Sequence, residues 1–481
     1  NIIGSCRRGE CTEATVEEIF RRQLRQIIAT DEKMLRMGEK HLDLPGLIGI
    51  WKRTIGSGLI GGKSVGMLLA HAILKKEFKR YEQVIEKHDS FYIGSDIFYS
   101  FLVRNGCWNI RQKQKNPETL FEDIDEAREK IMAGTFPDEV IHRFADMLDY
   151  FGQSPLIVRS SSLLEDNFGN AFSGKYESIF CVNNAAKEER LSAFLDAVRV
   201  IYASTMSREA LAYRAKKGVL ENDEQMALLV QRVSGTRRQN VFMPDLAGVG
   251  FSYNLYTWDE SIDPEAGLLR LVYGLGTRAV DRHDDDYTRI VALNAPEKRP
   301  EGNSAEMLKF TQKRVDVLDF SSNSLQTAYF SDIASQNRDL NTGMFSSEID
   351  IDGQSRRIIS FDRVIKETDI IRDMKEILSI LKNGYLSQVD VEFTVNFSAE
   401  GGYRINILQC RPQNVIKESG LLGDMPSVND ERVLIKSCGG IVGRSRASVV
   451  DRLIYVVPSV YGKLPEKDRY SLAKVVGKLT R

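Results

Sequence analysis

The segment SQVDVEFTVNF, residues 387–397, restricts the fold of this chain more than any other stretch of its sequence. From Val389 to Phe397 apolar and polar residues alternate without a break, and side chains two apart in a strand lie on the same face. The pattern predicts a strand with one buried face and with Asp390 and Glu392 together on the other face. The turn SAEGGY and a second strand-like run, RINILQCRPQ, follow, so the two runs are predicted to form a hairpin.

The predicted hairpin brings polar side chains of its two strands together. If the turn centres near Gly401, position 392 lies opposite roughly position 410, which puts Glu392 beside Gln409 and close to Arg411. Carboxylate and amide oxygens hold Mg²⁺ and an arginine fork holds phosphate, so such a group suits a magnesium–triphosphate site. A solvent-facing hairpin with ordinary polar residues explains the same pattern, and this stretch alone favours that simpler interpretation.

A second stretch, GSGLIGGKSVGM at residues 56–67, ends like a phosphate-binding loop. A Walker A loop needs Gly, four residues, and then Gly-Lys-Ser or Gly-Lys-Thr. Gly62, Lys63 and Ser64 supply the end of that motif, but Ser57 stands where its first glycine is required. A glycine turn that opens a helix over residues 64–79 explains the stretch equally well.

A third stretch, PLIVRSSSLLEDNFGNAFSGKYESIF at residues 155–180, carries an arginine at the end of an apolar strand. Arg159 is followed by three serines, and a guanidinium beside hydroxyl groups is suited to binding phosphate oxygens. The alternative is a structural salt bridge from Arg159 to Glu165 or Asp166, and both interpretations can hold together.

A fourth stretch, VYGLGTRAVDRHDDDYTRIV at residues 272–291, combines glycines with acidic residues. Gly274 and Gly276 allow the backbone to approach a ligand closely, and four aspartates lie between 281 and 286. A single G-x-G is weak evidence, and an acidic run is typical of a solvated loop.

Composition excludes several classes of protein. A length of 481 residues predicts about three domains. The net charge of −1 gives no reason to expect nucleic acid or an anionic membrane as partner. No apolar run approaches the roughly 18 residues that span a bilayer, and the first residues lack a signal-peptide core. The six cysteines are scattered without a C-x-x-C pair, which favours the reducing cytoplasm over a zinc site or a disulfide framework.

Periodicity predicts further elements along the chain. Helices are predicted from Pro137 to Gly152 and as one long region over 190–217. The runs MALLVQRV, LLRLVYGLG and YTRIVALN predict strands from about residue 226 onward. Residues 296–360 are polar, and we expect an irregular insertion there.

The motifs GGKSVGM, VRSSSLLEDNFGNAFSGKYESIF, ALAYRAKKG, LLVQRV, YGLGTRAV, DVEF and ILQCRPQ, in this order, resemble the N-terminal nucleotide-binding region of phosphoenolpyruvate synthase and pyruvate, phosphate dikinase. Rifampicin phosphotransferase and glucan, water dikinase are similar to the same region. The resemblance covers about residues 50–415. It implies an α+β protein of the ATP-grasp fold, in which two lobes close on Mg·ATP. The expected parts are a helical segment (1–45), a first lobe (46–235), a second lobe (236–415), and a linker with a C-terminal extension (416–481).

The resemblance also implies roles for individual residues. In the first lobe Lys63 would reach the ATP phosphates and Arg159 would grip them, and both would act in catalysis, while Gln231 would lie near the adenine. In the second lobe the nucleotide and magnesium would be bound by Gly274, Gly276, Asp390, Glu392, Gln409 and Arg411, with Glu392 and Gln409 as the metal ligands.

Two departures from the family pattern bear on function. The usual Gly-Leu-Gly-Glu ends here in Thr277, so an acid near the phosphates is lost, and Asp281 is the candidate substitute. The family also uses a swivelling domain with a phosphorylated histidine and a pyruvate-binding barrel, and nothing in this chain resembles either. The chain does not begin with Met, as expected for a fragment, although a natural chain that keeps only the ATP-handling half is the other interpretation.

The resemblance therefore predicts a cytoplasmic ATP-dependent phosphotransferase module. Its acceptor histidine would come from missing sequence or from another protein, and pyruvate is implied by resemblance alone. A non-catalytic ATP-binding sensor or scaffold is the alternative. A small-molecule kinase like the rifampicin enzyme is disfavoured, because it too needs a histidine domain.

Overall fold

The computed structural model of the chain describes residues 13–28, 32–165, 174–222, 224–280, 286–336, 342–398, 400–413, 429–435 and 452–479. The chain separates into two compact units that meet in sequence at Val415 and Ile416. The described sheets all belong to the first unit, where helices accompany mainly antiparallel strands. This mixture confirms the expected α+β class.

The strands in chain order are β1 (Thr54–Ile55), β2 (Ser90–Ile93), β3 (Leu156–Ser162), β4 (Ser178–Cys181), β5 (Met226–Arg232), β6 (Thr236–Arg238), β7 (Val241–Met243), β8 (Leu246–Phe251), β9 (Leu268–Val272), β10 (Arg289–Ala292), β11 (Arg314–Asp319), β12 (Ser324–Tyr329), β13 (Ser346–Ile351), β14 (Gln354–Ile359), β15 (Val389–Phe397) and β16 (Tyr403–Pro412).

The helices are α1 (Glu13–Ile27), α2 (Glu32–His41), α3 (Leu44–Lys52), α4 (Gly62–Glu77), α5 (Tyr81–Val84), α6 (Ser95–Arg104), α7 (Trp108–Lys113), α8 (Ile124–Met132), α9 (Asp138–Phe151), α10 (Lys187–Ser204), α11 (Arg208–Lys216), α12 (Thr277–Val280), α13 (Ser304–Lys309), α14 (Phe330–Gln336), α15 (Thr342–Phe345), α16 (Asp362–Glu367), α17 (Ile370–Tyr385), α18 (Pro458–Tyr461) and α19 (Glu466–Leu479).

The first five-stranded sheet has the order β1-β2-β5-β3-β4, and only the β1–β2 pair is parallel. Its central strand β5 is almost wholly apolar and is buried along nearly its full length. One face packs on α6, α9 and α10, whose aromatic residues Phe98, Phe101, Phe144 and Phe194 lie in one core with the strands. The sheet therefore holds Arg159, the fourth residue of β3, on a rigid support.

The second five-stranded sheet has the order β10-β9-β8-β15-β16. Its hairpin β15–β16 confirms the pattern of alternation seen in the sequence, and Val389, Val391, Phe393 and Val395 are all fully buried or nearly so. The ladder is regular from Phe397 opposite Tyr403 to Phe393 opposite Ile407, and its register then shifts before Glu392, which lies opposite Gln409. Leu408 is thus an extra residue, a β-bulge.

Helix α4 packs against both sheets. A Cβ on Gly61 would lie 1.4 Å from the carbonyl oxygen of Ser161, and one on Gly66 would lie 2.2 Å from that of Cys410. Only glycines allow this approach, so the turn before α4 lies directly on β3 and the helix lies directly on β16. The N-terminal helices α1–α3 contribute Leu24, Leu35 and Leu47 to the same core as α4 and the second sheet.

Two expectations about secondary structure were wrong. The helical region over 190–217 is two helices, because α10 ends at Ser204 and Ser207 caps the start of α11 by accepting a hydrogen bond from the Ala210 N–H. Residues 296–360 are not irregular in their described part but hold β11, β12, β13 and β14. Strand β12 is mostly exposed, and a strand without a buried face shows no apolar alternation.

The second unit, in its described residues, contains a short 3₁₀ turn at Asp430–Arg432 and the helices α18 and α19.

Candidate functional site

A cavity of about 320 Å³ in the first unit draws its walls from both five-stranded sheets. Among the candidates from sequence, it is lined by Lys63, Arg159, Gly276, Glu392 and Gln409, and Thr277 lies beside them. A volume of this size is in the range of small-molecule sites. Residues distant in sequence are thus brought to one place, and their contacts show what the place can bind.

Lys63 lies in the first turn of α4 and is almost completely buried. Its Nζ donates to Ser160 Oγ at 3.0 Å and to Glu165 Oε1 at 2.5 Å. The same β3 segment holds the start of the helix, because Ser161 Oγ accepts a hydrogen bond from the Ser64 N–H. The glycine turn before Lys63 and the serine run after Arg159 are therefore one structural unit.

Arg159 connects the two sheets. Its Nη2 donates to Glu392 Oε2 at 2.6 Å and to Gln409 Oε1 at 2.8 Å. The salt bridge expected from sequence, to Glu165, is made by Lys63 instead. Asp166, the other expected partner, lies outside the described residues. We call Arg159, Glu392 and Gln409 the Arg159 cluster.

The bulge at Leu408 decides which side chain of β16 faces Glu392. In a continued regular ladder Leu408 would lie opposite Glu392, but the extra residue moves Gln409 into that position. The side-by-side placement of Glu392 and Gln409 agrees with the prediction from sequence. The bulge itself was not predicted.

Positive charges keep the Glu392 carboxyl ionised. Burial alone would raise the pKa of Glu392, but Arg159 lowers it by its charge and its hydrogen bond. Arg411 and Lys63 lower the pKa further, and the result lies below the ordinary value for glutamate. The site therefore has a negative oxygen ligand at neutral pH, with two cationic side chains, Lys63 and Arg159, on the same cavity wall.

The loop with Gly274 and Gly276 forms another part of the wall. Gly274 has a φ of +88°, and a Cβ there would lie 2.4 Å from Val315 Cγ1, so the loop packs tightly on β11. This contact places the Thr277 hydroxyl 2.6 Å from Asp316 Oδ2. Gly276 lines the cavity, whereas Gly274 supports the loop from behind.

Arg278 completes a second group of charges. Its Nε donates to Asp316 at 3.0 Å and its Nη1 donates to Asp286 at 2.6 Å. We call Thr277, Arg278, Asp286 and Asp316 the Thr277 cluster. The expected substitute acid, Asp281, lies outside the described residues.

Besides Gly274, three sequence candidates do not line the cavity: Asp390, Arg411 and Gln231. Asp390 accepts from Arg411 Nε at 2.7 and 2.9 Å across the hairpin, so these two side chains form a pair next to the site. Gln231 is buried in β5, where its Nε2 lies 3.1 Å from Met67 Sδ. Arg411 still affects the site, because its charge lowers the pKa of Glu392.

The chemistry of the donor set is compatible with a magnesium ion. Among the described residues no group of three or more His, Cys, Asp or Glu side chains is placed to hold a metal. Glu392 and Gln409, however, direct one oxygen each at a single point, and a cationic nitrogen of Arg159 lies there. Mg²⁺ is commonly bound by one or two protein oxygens together with substrate phosphates and water.

Two contacts of the site were not predicted from sequence. Glu165 was named there only as an alternative partner of Arg159, and no signal indicated its bond to Lys63. Asp316 lies 39 residues beyond Thr277, and nothing in the sequence of β11 marks it.

Comparison with known proteins identifies the family of the chain. The sequence profile of the family described as "Pyruvate phosphate dikinase, AMP/ATP-binding domain" matches residues 57–424, about three quarters of the chain. The chain therefore belongs to this family of nucleotide-binding domains, as its motifs indicated.

A curated relative is the "Uncharacterized phosphotransferase YvkC" of Bacillus subtilis (strain 168). It is 26% identical over 301 residues, which are 62% of this chain and 29% of the relative. The chain thus spans less than a third of the length of that protein. No helix among the described residues combines the length and apolar character needed to cross a bilayer.

Proposed function

We propose that the chain is an ATP-grasp module that binds Mg·ATP between two lobes and transfers phosphate from it to a histidine. The two lobes would be residues 46–235 and 236–415, and residues 1–45 and 416–481 would flank them. Membership of an AMP/ATP-binding family and similarity to a phosphotransferase support this function.

The observation that carries the proposal is the meeting of two kinds of charge in one cavity. Lys63 and Arg159 come from α4 and the first sheet, and Glu392 and Gln409 come from the second sheet. Phosphate groups need cations and hydrogen-bond donors, and a metal ion needs hard oxygen ligands. A metal–triphosphate is a ligand that satisfies both halves at once.

In this assignment Lys63 and Arg159 bind phosphate oxygens and stabilise the charge that develops on them. Glu165 and Ser160 orient Lys63, whose ammonium they already contact. Glu392 and Gln409 would hold Mg²⁺, which would neutralise phosphate charge when bound. Asp390, Arg411 and Gln231 act from behind the wall, the first two by fixing the hairpin.

The acceptor in this proposal is an imidazole of a histidine domain that lies in further sequence or in another protein. An imidazole nitrogen forms a bond to the β-phosphorus with its lone pair. The bond from the β-phosphorus to the oxygen that bridges it to the α-phosphorus breaks, so AMP leaves with that oxygen and the imidazole keeps the β- and γ-phosphates as a pyrophosphoryl group. The imidazole is its own nucleophile and loses its N–H proton to solvent.

A non-catalytic ATP sensor is the second candidate, and Thr277 in place of the family's acid favours it. A sensor would bind Mg·ATP and release no AMP when a histidine domain is supplied.

Calorimetric titration with ATP, with and without Mg²⁺, tests the binding step. Wild type, Arg159→Ala and Glu392→Gln are compared, with Glu348→Gln, an exposed carboxyl on β13, as the matched control. We expect magnesium-dependent binding that the first two substitutions weaken by more than tenfold and the control leaves unchanged. Equal binding by all four proteins would show that the site is elsewhere.

The transfer step is tested separately by supplying a histidine domain and measuring AMP and the pyrophosphoryl group bound to its histidine. Magnesium-dependent formation of both supports the phosphotransferase. Tight binding of Mg·ATP without AMP supports the sensor instead.

A further inference from the structure

The Thr277 hydroxyl donates its only proton to Asp316. Thr277 lines the cavity, and its Oγ1 donates to Asp316 Oδ2 at 2.6 Å. An ionised carboxylate accepts hydrogen bonds and does not donate them, so the direction of this bond is fixed. A hydroxyl has one proton and two lone pairs. Because the proton is donated to Asp316, the Thr277 hydroxyl can only accept a hydrogen bond from a ligand.

Asp316 is held in place by further donors. Its Oδ1 accepts from Arg278 Nε at 3.0 Å and from Thr327 Oγ1 at 2.6 Å, and its side chain is more than nine-tenths buried. Arg278 and Thr327 thus both donate to Oδ1, and Oδ2 remains as the acceptor for Thr277. The orientation of the Thr277 hydroxyl is therefore imposed by the protein before any ligand arrives.

The charge behind Thr277 is unfavourable for a phosphate. Arg278 is shared by two buried carboxylates, Asp316 and Asp286. Asp286 also accepts from the backbone N–H groups of Lys313 and Arg314. In these contacts among the described residues one guanidinium faces two carboxylates, and phosphate oxygens are acceptors that gain nothing from another acceptor.

We infer that Thr277 accepts a hydrogen bond from an O–H or N–H donor of the nucleoside, a ribose hydroxyl or the adenine amino group, and that Asp316 is the positioning residue that makes it an acceptor. This inference rests on the proposed function and assigns a role to a part of the cavity wall other than Lys63 and Arg159. The glutamate common in the family at this place is a charged acceptor. Thr277 keeps the acceptor and removes the charge, so its presence is compatible with nucleotide binding.

The test compares dissociation constants of four magnesium nucleotides: ATP, 2′-deoxy-ATP, 3′-deoxy-ATP and the triphosphate of purine riboside, which lacks the amino group. Wild type should bind one of the three analogues about three- to tenfold more weakly than ATP, the usual range for one hydrogen bond. Thr277→Val should lose the same factor for ATP and should bind ATP and that analogue equally. The analogue concerned identifies the donor as a ribose hydroxyl or as the amino group.

Thr327→Val is the matched control, because it removes another hydroxyl from the same carboxylate but Thr327 does not line the cavity. It should discriminate between the nucleotides like wild type. Asp316→Asn is a second variant, which keeps Thr277 but lets an amide donate to it. Like Thr277→Val, it should no longer discriminate between ATP and the analogue that wild type binds more weakly. A purely structural role of Asp316 would leave the ratio of the affinities for these two nucleotides unchanged.

The inference is overturned if Thr277→Val weakens all four nucleotides by the same factor or weakens none. Failure of wild type to bind Mg·ATP at all would instead overturn the proposed function. The two failures are therefore distinct.

Discussion

At the Arg159 cluster the partners come from the two five-stranded sheets, whereas at the Thr277 cluster they come from the segment after β9 and from β11. Arg159 on β3 reaches Glu392 on β15 and Gln409 on β16. Thr277 and Arg278 reach Asp316, which the tight contact of Gly274 with β11 brings beside them. In the Arg159 cluster, the guanidinium and the side-chain oxygens that a metal–phosphate would bind are paired with each other. The Thr277 cluster keeps its carboxylates behind the wall and presents one oriented oxygen.

The comparison shows two ways to prepare a ligand site. Under the proposed function the Arg159 cluster would exchange its internal contacts for contacts with the ligand, so stability and binding would be coupled there. The Thr277 cluster is preorganised and needs no rearrangement. Substitutions in the Arg159 cluster should therefore change stability and magnesium-dependent binding together, whereas those in the Thr277 cluster should change the discrimination between nucleotides.

Arg159→Met should have the largest effect. It leaves the Glu392 carboxyl buried without its main partner, and breaking such a pair costs about 3 kcal/mol in the free energy of unfolding. Mg·ATP should bind more than 100-fold more weakly. Urea unfolding and calorimetry measure the two quantities.

The double variant Arg159→Met with Glu392→Met sharpens this result. Apolar side chains can replace a buried ion pair at little cost, so most of the lost stability should return while binding stays lost. Recovery of binding in the double variant would contradict the assignment of the cluster to the ligand.

Gly274→Ala should act on the other cluster. The positive φ disfavours a side chain, and the Cβ would collide with Val315, so we expect a loss of about 3 kcal/mol in the free energy of unfolding. Gly353→Ala is the control, since Gly353 also has a positive φ, +76°, but open space around its Cβ, and should cost about 1 kcal/mol.

The binding data of Gly274→Ala test the comparison directly. The folded variant should lose discrimination between ATP and its analogues while its dependence on Mg²⁺ remains. Loss of the magnesium dependence together with discrimination would show that the two clusters are one coupled unit.

The smallest effect concerns a neutral contact between α4 and the hairpin. His71 is buried, with Nε2 3.1 Å from the Ile407 carbonyl oxygen, and burial, assisted by the charge of His88, lowers its pKa from 6.5 to about 3. Below pH 6.5 the unfolded chain takes up a proton that the folded chain excludes, so stability falls as the pH falls.

Between pH 7 and pH 5 this histidine alone should remove about 2 kcal/mol from the free energy of unfolding. The free energy of unfolding is measured with urea at the two pH values for wild type and for His71→Gln. The decrease between the two pH values should be smaller by that amount in the variant. An unchanged difference would mean that His71 is protonated equally in the folded and unfolded chains.

Much of the fold followed from local sequence patterns. The alternation of β15, the apolar run of β5, and Pro137 and Gly152 at the two ends of α9 are all local signals, and the structure has these elements. The exposed strand β12 gave no signal, because its pairing with β11 depends on tertiary contacts and not on a buried face of its own.

The part of the candidate site that lies on the β15–β16 hairpin was predictable from sequence. Glu392 and Gln409 are neighbours because of a single turn, so the register could be counted approximately. The bulge at Leu408 and the contact of Thr277 with Asp316 depend on packing between distant segments, and no local pattern encodes such contacts.

The bond from Arg159 to Glu392 has a consequence for which ligands can enter. A metal ion alone would take the carboxylate and leave a buried guanidinium without its anion. A phosphate chain alone would take the guanidinium and leave a buried carboxylate without its cation. Each ligand would remove the penalty that the other creates, so under the proposed function the metal ion and the phosphate chain should bind together more tightly than either alone.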